Sequence, residues 1–229
     1  AIAPKDLRNN KLRDEDRAFH DWYRFVLSYP PHLVREYVER FELGPSRLLL
    51  DPFCGTGTTL VEAKKNGIPS AGIEAHPMPC FASKVKTNWS VRPAELMEHA
   101  DQVFQKTSRI LSRTNGQLRA LPTEQESLLL THSIGPIPLH KCLVLREEIL
   151  RTPDSTMRDI ELLALAFVSV FCASNLKFGP EVGVSRNKKL DAPVLDAWLT
   201  KVNQMSRDIA ESAYRASVAS RCILADSRG

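Results

Sequence analysis

Apolar positions keep helical spacing over most of this chain and abandon it at only a few short runs. Over 14–28, Phe19, Trp22, Tyr23, Phe25 and Val26 fall on one face, which predicts a helix. Tyr29-Pro30-Pro31 ends it, because neither proline suits a helix interior. A second helix is predicted from Pro31 or His32 to about Phe41, with Leu33, Val34, Tyr37 and Val38 inward and Gly44-Pro45 as its stop. The run Arg47-Leu48-Leu49-Leu50-Asp51 is apolar without alternation, the pattern of a strand buried on both faces. A helix over 58–66, capped by Gly67, and a short strand over 69–74 complete a strand–helix–strand order, which is a βαβ unit with parallel strands.

From Pro77 onward the pattern turns helical. Spans 81–89, 94–113, 139–151, 156–173 and 194–216 carry apolar residues three and four apart, with Asn115-Gly116, Gly135-Pro136, Thr152-Pro153 and Gly179-Pro180 between them. A short apolar run returns only at 221–226, closing on Asp226. The expected fold is α/β, with three parallel strands and a large helical insertion between the second and third. It divides into 1–92 (N-terminal helices and the βαβ unit), 93–220 (helical insertion) and 221–229 (third strand and its acidic end).

Composition narrows this picture. At 229 residues the chain is one sizeable domain with an insertion or two domains. The longest strongly apolar stretch, 160–173, contains Glu161 and falls short of the roughly 20 residues of a membrane span, so it reads as a buried helix. No basic segment followed by an apolar run opens the chain, so no secretory signal is expected. Thirty-one basic and 27 acidic side chains leave a net charge of +4, and the insertion is charge-balanced, which permits a nucleic-acid partner without announcing one. The best gathering of cations is Lys177, Arg186, Lys188 and Lys189, set against Glu181; it reads as a solvated loop or as a contact to a nucleic-acid backbone. The 5 cysteines, with no CxxC, fit reduced thiols in a cytoplasmic protein. His132, His140 and Cys142 do not have a recognised zinc spacing and read as ordinary loop residues, so no metal is expected.

The chemistry concentrates in Asp51-Pro52-Phe53-Cys54-Gly55-Thr56-Gly57-Thr58-Thr59, between the first strand and its helix. Two glycines one residue apart let the backbone turn tightly and approach a ligand where a side chain would clash. The helix start behind them offers free N–H groups and partial positive charge to a carboxylate or phosphate. Glu74 ends the next strand at about the separation where an acidic residue reaches ribose hydroxyls. A nucleoside ligand follows. Neither the third glycine of GxGxxG nor the GK of a P-loop is present, so a dinucleotide and a simple nucleotide phosphate are both disfavoured.

The segment closely resembles motif I of S-adenosylmethionine-dependent amino-methyltransferases that modify DNA bases. Gly72-Ile73-Glu74-Ala75-His76-Pro77 is similar to their second motif and Ile223-Leu224-Ala225-Asp226-Ser227-Arg228 to their third. Tyr29-Pro30-Pro31-His32-Leu33-Val34 stands where the methionine-end motif precedes motif I. The resemblance implies a Rossmann-like class I methyltransferase fold with S-adenosylmethionine as cofactor. It assigns Asp51, Phe53, Gly55, Thr56 and Gly57 to the methionine part, Glu74 to the ribose and Asp226 to the adenine. It implies DNA as substrate, methylation of an adenine or cytosine amino group, and a place in restriction-modification. RNA guanine amino-methyltransferases share the loop, and a noncatalytic cofactor-binding scaffold is a third reading.

The chain departs from that family in two ways. The fourth motif, an Asp, Asn or Ser followed by Pro-Pro and an aromatic residue that grips a flipped base, is absent, and the only diproline is Pro30-Pro31. In the family's sheet the first strand pairs with a fourth, and no fourth strand is visible here. The first strand is therefore expected to have an open edge, with a second polypeptide or a C-terminal continuation supplying the remainder. This chain alone is expected to be inactive.

Overall fold

The computed structural model describes residues 12–24, 28–114, 116–179 and 181–228. In chain order the elements are α1 (Pro31–Arg40), β1 (Leu49–Asp51), α2 (Thr58–Lys65), β2 (Ser70–Glu74), α3 (Pro77–Thr87), α4 (Pro93–Ser112) and α5 (Thr123–Glu126). There follow α6 (Pro136–Leu150), α7 (Ser155–Val168), β3 (Leu176–Phe178), β4 (Val182–Val184), α8 (Val194–Ser212) and β5 (Ser220–Leu224). They form two compact units, 1–91 with 208–229, and 92–207. Residues 208–220, read from sequence as insertion, thus fold with the first unit. Among the described residues no helix is long and apolar enough to cross a membrane.

The first unit holds a parallel sheet in the order β1-β2-β5, Leu49 opposite Ser70 and Ser70 opposite Ser220. This is the expected three-stranded α/β core, a Rossmann-like arrangement, with β2 central because the chain crosses back twice. Close packing fixes β2 against the loop after β1: a Cβ on Gly72 would lie 2.7 Å from the Cys54 sulfur and 2.9 Å from Leu60. Beneath the loop, Cys54, Leu60, Cys80 and Cys222 form one buried cluster.

β1 corrects the expectation of a strand buried on both faces. It lies at the sheet edge, and Leu48 and Leu50 are 68% and 61% exposed. The apolar run reflects a strand with nothing paired on its outer side among the described strands.

The predicted helix over 14–28 is a second correction. A single 3-10 turn, Asp14–Asp16, is followed by turns, and Phe19 has φ +65°. Tertiary anchors override the helical spacing: Phe19 N and Trp22 Nε1 both donate to Asp208 Oδ2, at 3.3 and 2.7 Å, and the Phe19 ring stacks on Trp89 at 4.4 Å. Phe25 and Val26 of the expected face lie outside the described residues.

Proline is the reason two helices begin earlier than expected. α1, α3, α4 and α6 each have proline at the first turn, where no intrahelical N–H is needed and the fixed φ is helical. Pro136, read with Gly135 as punctuation, marks the start of α6, and Pro77 that of α3.

The second unit is built from α4 to α8 and adds a short antiparallel ribbon, β3–β4, which the helical reading did not anticipate. The helix expected over 156–173 ends as an α-helix at Val168. It continues as one π-turn, Ser169–Ala173, in which Ser174 N reaches back to Ser169 O at 3.0 Å. Asp154 caps α7 by accepting from Thr156 N and Met157 N.

Candidate functional site

The site grows from the loop between β1 and α2. Asp51 closes β1 and ties the loop to what precedes it: Oδ1 accepts from Phe53 N and Oδ2 from the Tyr29 hydroxyl, both at 3.0 Å. Tyr29 also hydrogen-bonds Thr59 on α2. Burial pushes the Tyr29 hydroxyl up to about 12, so it keeps its proton and can serve as the donor to Asp51 at neutral pH. Cys54 N donates to Ile73 O and Gly57 N to Cys54 O, which pins the loop over β2.

The two glycines have different reasons to be there. Gly57, at φ +87°, opens α2, and a Cβ on it would sit 2.6 Å from Ser83 Oγ and 3.1 Å from the Ser83 backbone, so only glycine fits. Gly55, at φ +52°, faces open space, with nothing within 4 Å of where its Cβ would be. The amide of Gly55 is tied to Glu74, whose Oε2 accepts from Gly55 N at 3.0 Å while Oε1 accepts from His76 N at 2.7 Å. Two backbone donors hold the carboxylate still and leave each oxygen a further lone pair for a hydroxyl.

Glu74 and Asp226 line one cavity of about 360 Å³ together with Pro52, Phe53, Ala75 and Arg228. It opens at the carboxyl ends of β1, β2 and β5, where ligands of open α/β sheets bind, and its volume lies within the range of small-molecule sites. Phe53 is 73% exposed at its edge. Asp226 is engaged in advance: Arg228 grips it through Nε at 3.0 Å and Nη2 at 2.7 Å, and this holds the carboxyl below its usual range.

Of the residues assigned by resemblance, Phe53, Glu74 and Asp226 therefore share the cavity, and Gly55 is bonded to Glu74. Asp51 faces Tyr29, Thr56 is buried beneath the loop, and Gly57 starts the helix. Tyr29 and Arg228 stand in segments that the resemblance covers but were given no role of their own from sequence. The available signals were the aromatic residue before the diproline and a cation two residues after Asp226. His76 caps α3, its Nδ1 accepting from Met78 N.

The three buried thiols behind the loop are in contact, Cys54 to Cys222 at 3.6 Å and Cys222 to Cys80 at 3.3 Å between sulfurs. Burial pushes the Cys80 thiol up to about 11, which favours the protonated form.

In the second unit Lys177 lies on β3, and Arg186, Lys188 and Lys189 follow β4. Lys189 is committed locally, its Nζ donating to Cys172 O at 2.6 Å and its backbone N to Asn175 Oδ1 at 2.8 Å. Lys177, Arg186 and Lys188 are exposed, with no acidic partner among the described residues. Asn175 is buried and structural, also donating to His132 O. His140 Nδ1 accepts from Arg119 N.

Residues 5–84 match the sequence model of a family described as DNA methylase (N6_N4_Mtase). The type II methyltransferase M.BsoBI of Geobacillus stearothermophilus is 32% identical over 90 residues, 38% of this chain and 18% of that protein. M.MjaII of Methanocaldococcus jannaschii is 34% identical over 84 residues, 35% of this chain and 16% of that protein. M.MvaI of Kocuria varians is 30% identical over 79 residues, 34% of this chain and 17% of that protein. The matched stretch thus spans less than a fifth of each of these curated relatives. No solved structure matches the chain significantly.

Proposed function

We propose, from the match of residues 5–84 to the DNA methylase family, that this chain is the S-adenosylmethionine-binding portion of a cytoplasmic DNA methyltransferase acting on an exocyclic amino group of adenine or cytosine. The observation that carries the reading is the convergence of Asp226 and Glu74, the latter held by Gly55 N, on one cavity. Those features suit an adenosine: a fixed carboxylate for the ribose hydroxyls and a second carboxylate for an amino group.

In this reading Glu74 accepts from the ribose hydroxyls with the lone pairs that Gly55 N and His76 N leave free. Asp226 exchanges Arg228 for the adenine amino group, and Phe53 covers the bound nucleoside from the rim. The N-terminus of α2 attracts the methionine carboxylate. Tyr29 holds Asp51, and through Phe53 N the loop, in shape. The cofactor supplies a methyl group activated by a sulfonium. Direct transfer asks little of the protein beyond positioning and electrostatics.

The residues that grip the target base come from another segment, continuing this chain or on a second one, which pairs with the outer edge of β1. Leu48 and Leu50 are exposed along that edge. Beside it an apolar cavity of about 350 Å³, lined by Leu33, Tyr37, Val38, Leu43 and Leu49 among others, awaits cover. Leaving such leucines in water forgoes about 1.5–3 kcal/mol each.

Titration calorimetry with S-adenosylmethionine tests the cofactor site. Wild-type binding and a loss of about 30-fold or more in Glu74→Ala are expected, since charge-assisted hydrogen bonds to the ribose are removed. Unchanged affinity in that variant overturns the ribose assignment. Methyl-transfer assays on DNA and on RNA, with and without a completing chain, then separate a DNA enzyme from an RNA guanine enzyme, and either from a scaffold that binds cofactor without catalysing.

A further inference from the structure

The β3–β4 ribbon carries features that the cofactor site does not use. Its register pairs Leu176 with Val184, Lys177 with Gly183 and Phe178 with Val182. Side chains alternate across a strand, so Leu176, Phe178, Val182 and Val184 share one face and Lys177 takes the other, opposite a glycine that leaves the backbone bare. The π-turn at Ser169–Ala173 brings Phe171 to the ribbon's apolar face, where its ring lies 5.3 Å from Phe178. Behind it Phe167 lies 4.9 Å from Phe171 and carries Lys201 Nζ over its ring at 3.8 Å, so the aromatic row is supported from within.

The row is not fully covered. Phe171 and Phe178 are 39% and 41% exposed. Three cations without an acidic partner among the described residues, Lys177, Arg186 and Lys188, accompany it on the ribbon and the segment that leaves it; of the acids near them in sequence, Glu181 and Asp191, the latter is paired with Lys141. Cations without partners beside half-exposed rings favour a polyanion that also offers flat or methyl-bearing apolar groups. A two-stranded ribbon is narrow enough for the major groove of duplex DNA, where phenylalanine meets thymine methyl groups and cations meet the flanking phosphates.

We propose that the β3–β4 ribbon is a DNA-contacting element, with Lys177, Arg186 and Lys188 on phosphates and Phe178, backed by Phe171, against base edges in the major groove. The choice of DNA over other polyanions rests on the methyltransferase reading above. The ribbon geometry is independent of it.

Fluorescence anisotropy of the full chain on a labelled DNA duplex, repeated from about 50 to 200 mM salt, tests the assignment. K177A/R186A/K188A is expected to weaken binding and to flatten the slope of log affinity against log salt by about 2 to 3, one phosphate each. Phe178→Ala is expected to weaken binding about fivefold to tenfold with the slope unchanged, since it removes an apolar contact and no charge. Phe178→Leu, which keeps the ribbon's apolar face, guards against simple unfolding: it is expected to bind better than the alanine variant and to melt like wild type. A wild-type slope in the triple variant, no DNA binding by the full chain, or equal competition by polyglutamate each overturns the proposal. Failure of the cofactor reading is distinguishable. A chain that binds DNA through these residues but binds no S-adenosylmethionine sinks that reading alone; a chain that binds the cofactor while the triple variant binds DNA like wild type sinks the ribbon alone.

Discussion

Each of the two units holds a histidine–glutamate pair at 2.7 Å around a buried glutamate, His20 with Glu62 in the first, both buried, and a partly exposed His99 with Glu161 in the second. The two glutamates are driven in opposite directions. Burial raises both, but Glu62 also meets Lys65 at 3.4 Å and Arg35 at 2.9 Å, and His20 and these cations together hold it down at about 2. Glu161 has only His99 against the cost of burial and stays above its ordinary value, with Oε2 unpartnered. The pair of residue types is the same; the additional cations decide the direction of the shift. The difference has a functional side, because Glu62 lies on α2, the helix that the glycine loop opens, and Arg35 links α1 to it while also reaching Asp16 at 2.8 Å. The ionised network therefore braces the start of α2, and with it the glycine loop, from behind. Glu161 lies mid-helix in α7, and its backbone carbonyl accepts from Trp198.

The sharpest break of this contrast is isosteric neutralisation. Glu62→Gln strips the network of its central charge and is expected to destabilise the first unit by about 3 kcal/mol, the low end for a broken buried pair because Arg35 keeps Asp16 and part of its side chain in water. Glu161→Gln keeps an acceptor for His99 and removes a buried charge, so its melting is expected to stay within about 1 kcal/mol of wild type. Equal losses in thermal melts of the two variants would erase the distinction.

Acidification sharpens it next, with opposite signs. Burial, working against Glu62, holds His20 down at about 4, below its ordinary 6.5, so the stability of its neutral form is present above 6.5 and is lost as pH falls toward 4. The contribution of Glu62 follows, present above 4.5 and lost toward 2. For Glu161 the raised folded pKa means a penalty carried at neutral pH and relieved as pH falls through it. Hydrogen exchange of α2 and α7, corrected for intrinsic rates, is expected to show protection falling on α2 and holding or rising on α7 between pH 7 and about 4. Parallel loss in both helices contradicts this.

Smaller changes probe the loop that the first network supports. Tyr29→Phe removes the donor to Asp51 and is expected to cost about 1 kcal/mol in denaturant titration, together with a modest loss of cofactor affinity. Arg228→Ala should be the mildest: its pair with Asp226 is fully exposed, so melting should not move, while calorimetry should show tighter S-adenosylmethionine binding as Asp226 is freed. A weaker complex would mean that Arg228 itself holds the ligand.

The βαβ unit, its glycine loop and Glu74 were legible along the chain because their requirements are local. Gly57 must adopt a left-handed φ, β2 must follow within one helix, and the acidic residue must end that strand. The same short reach explains the errors. Helical spacing over 14–28 yields to Asp208, nearly two hundred residues away, and the prolines that look like breakers mark helix starts. Cys54, Cys80 and Cys222 converge only because β5 pairs with β2. Periodicity and backbone preference act over a few residues and write themselves into the chain. Which glutamate finds a second cation, which strand keeps an open edge and which rings stay half in water depend on packing between distant segments, and only the folded chain decides them.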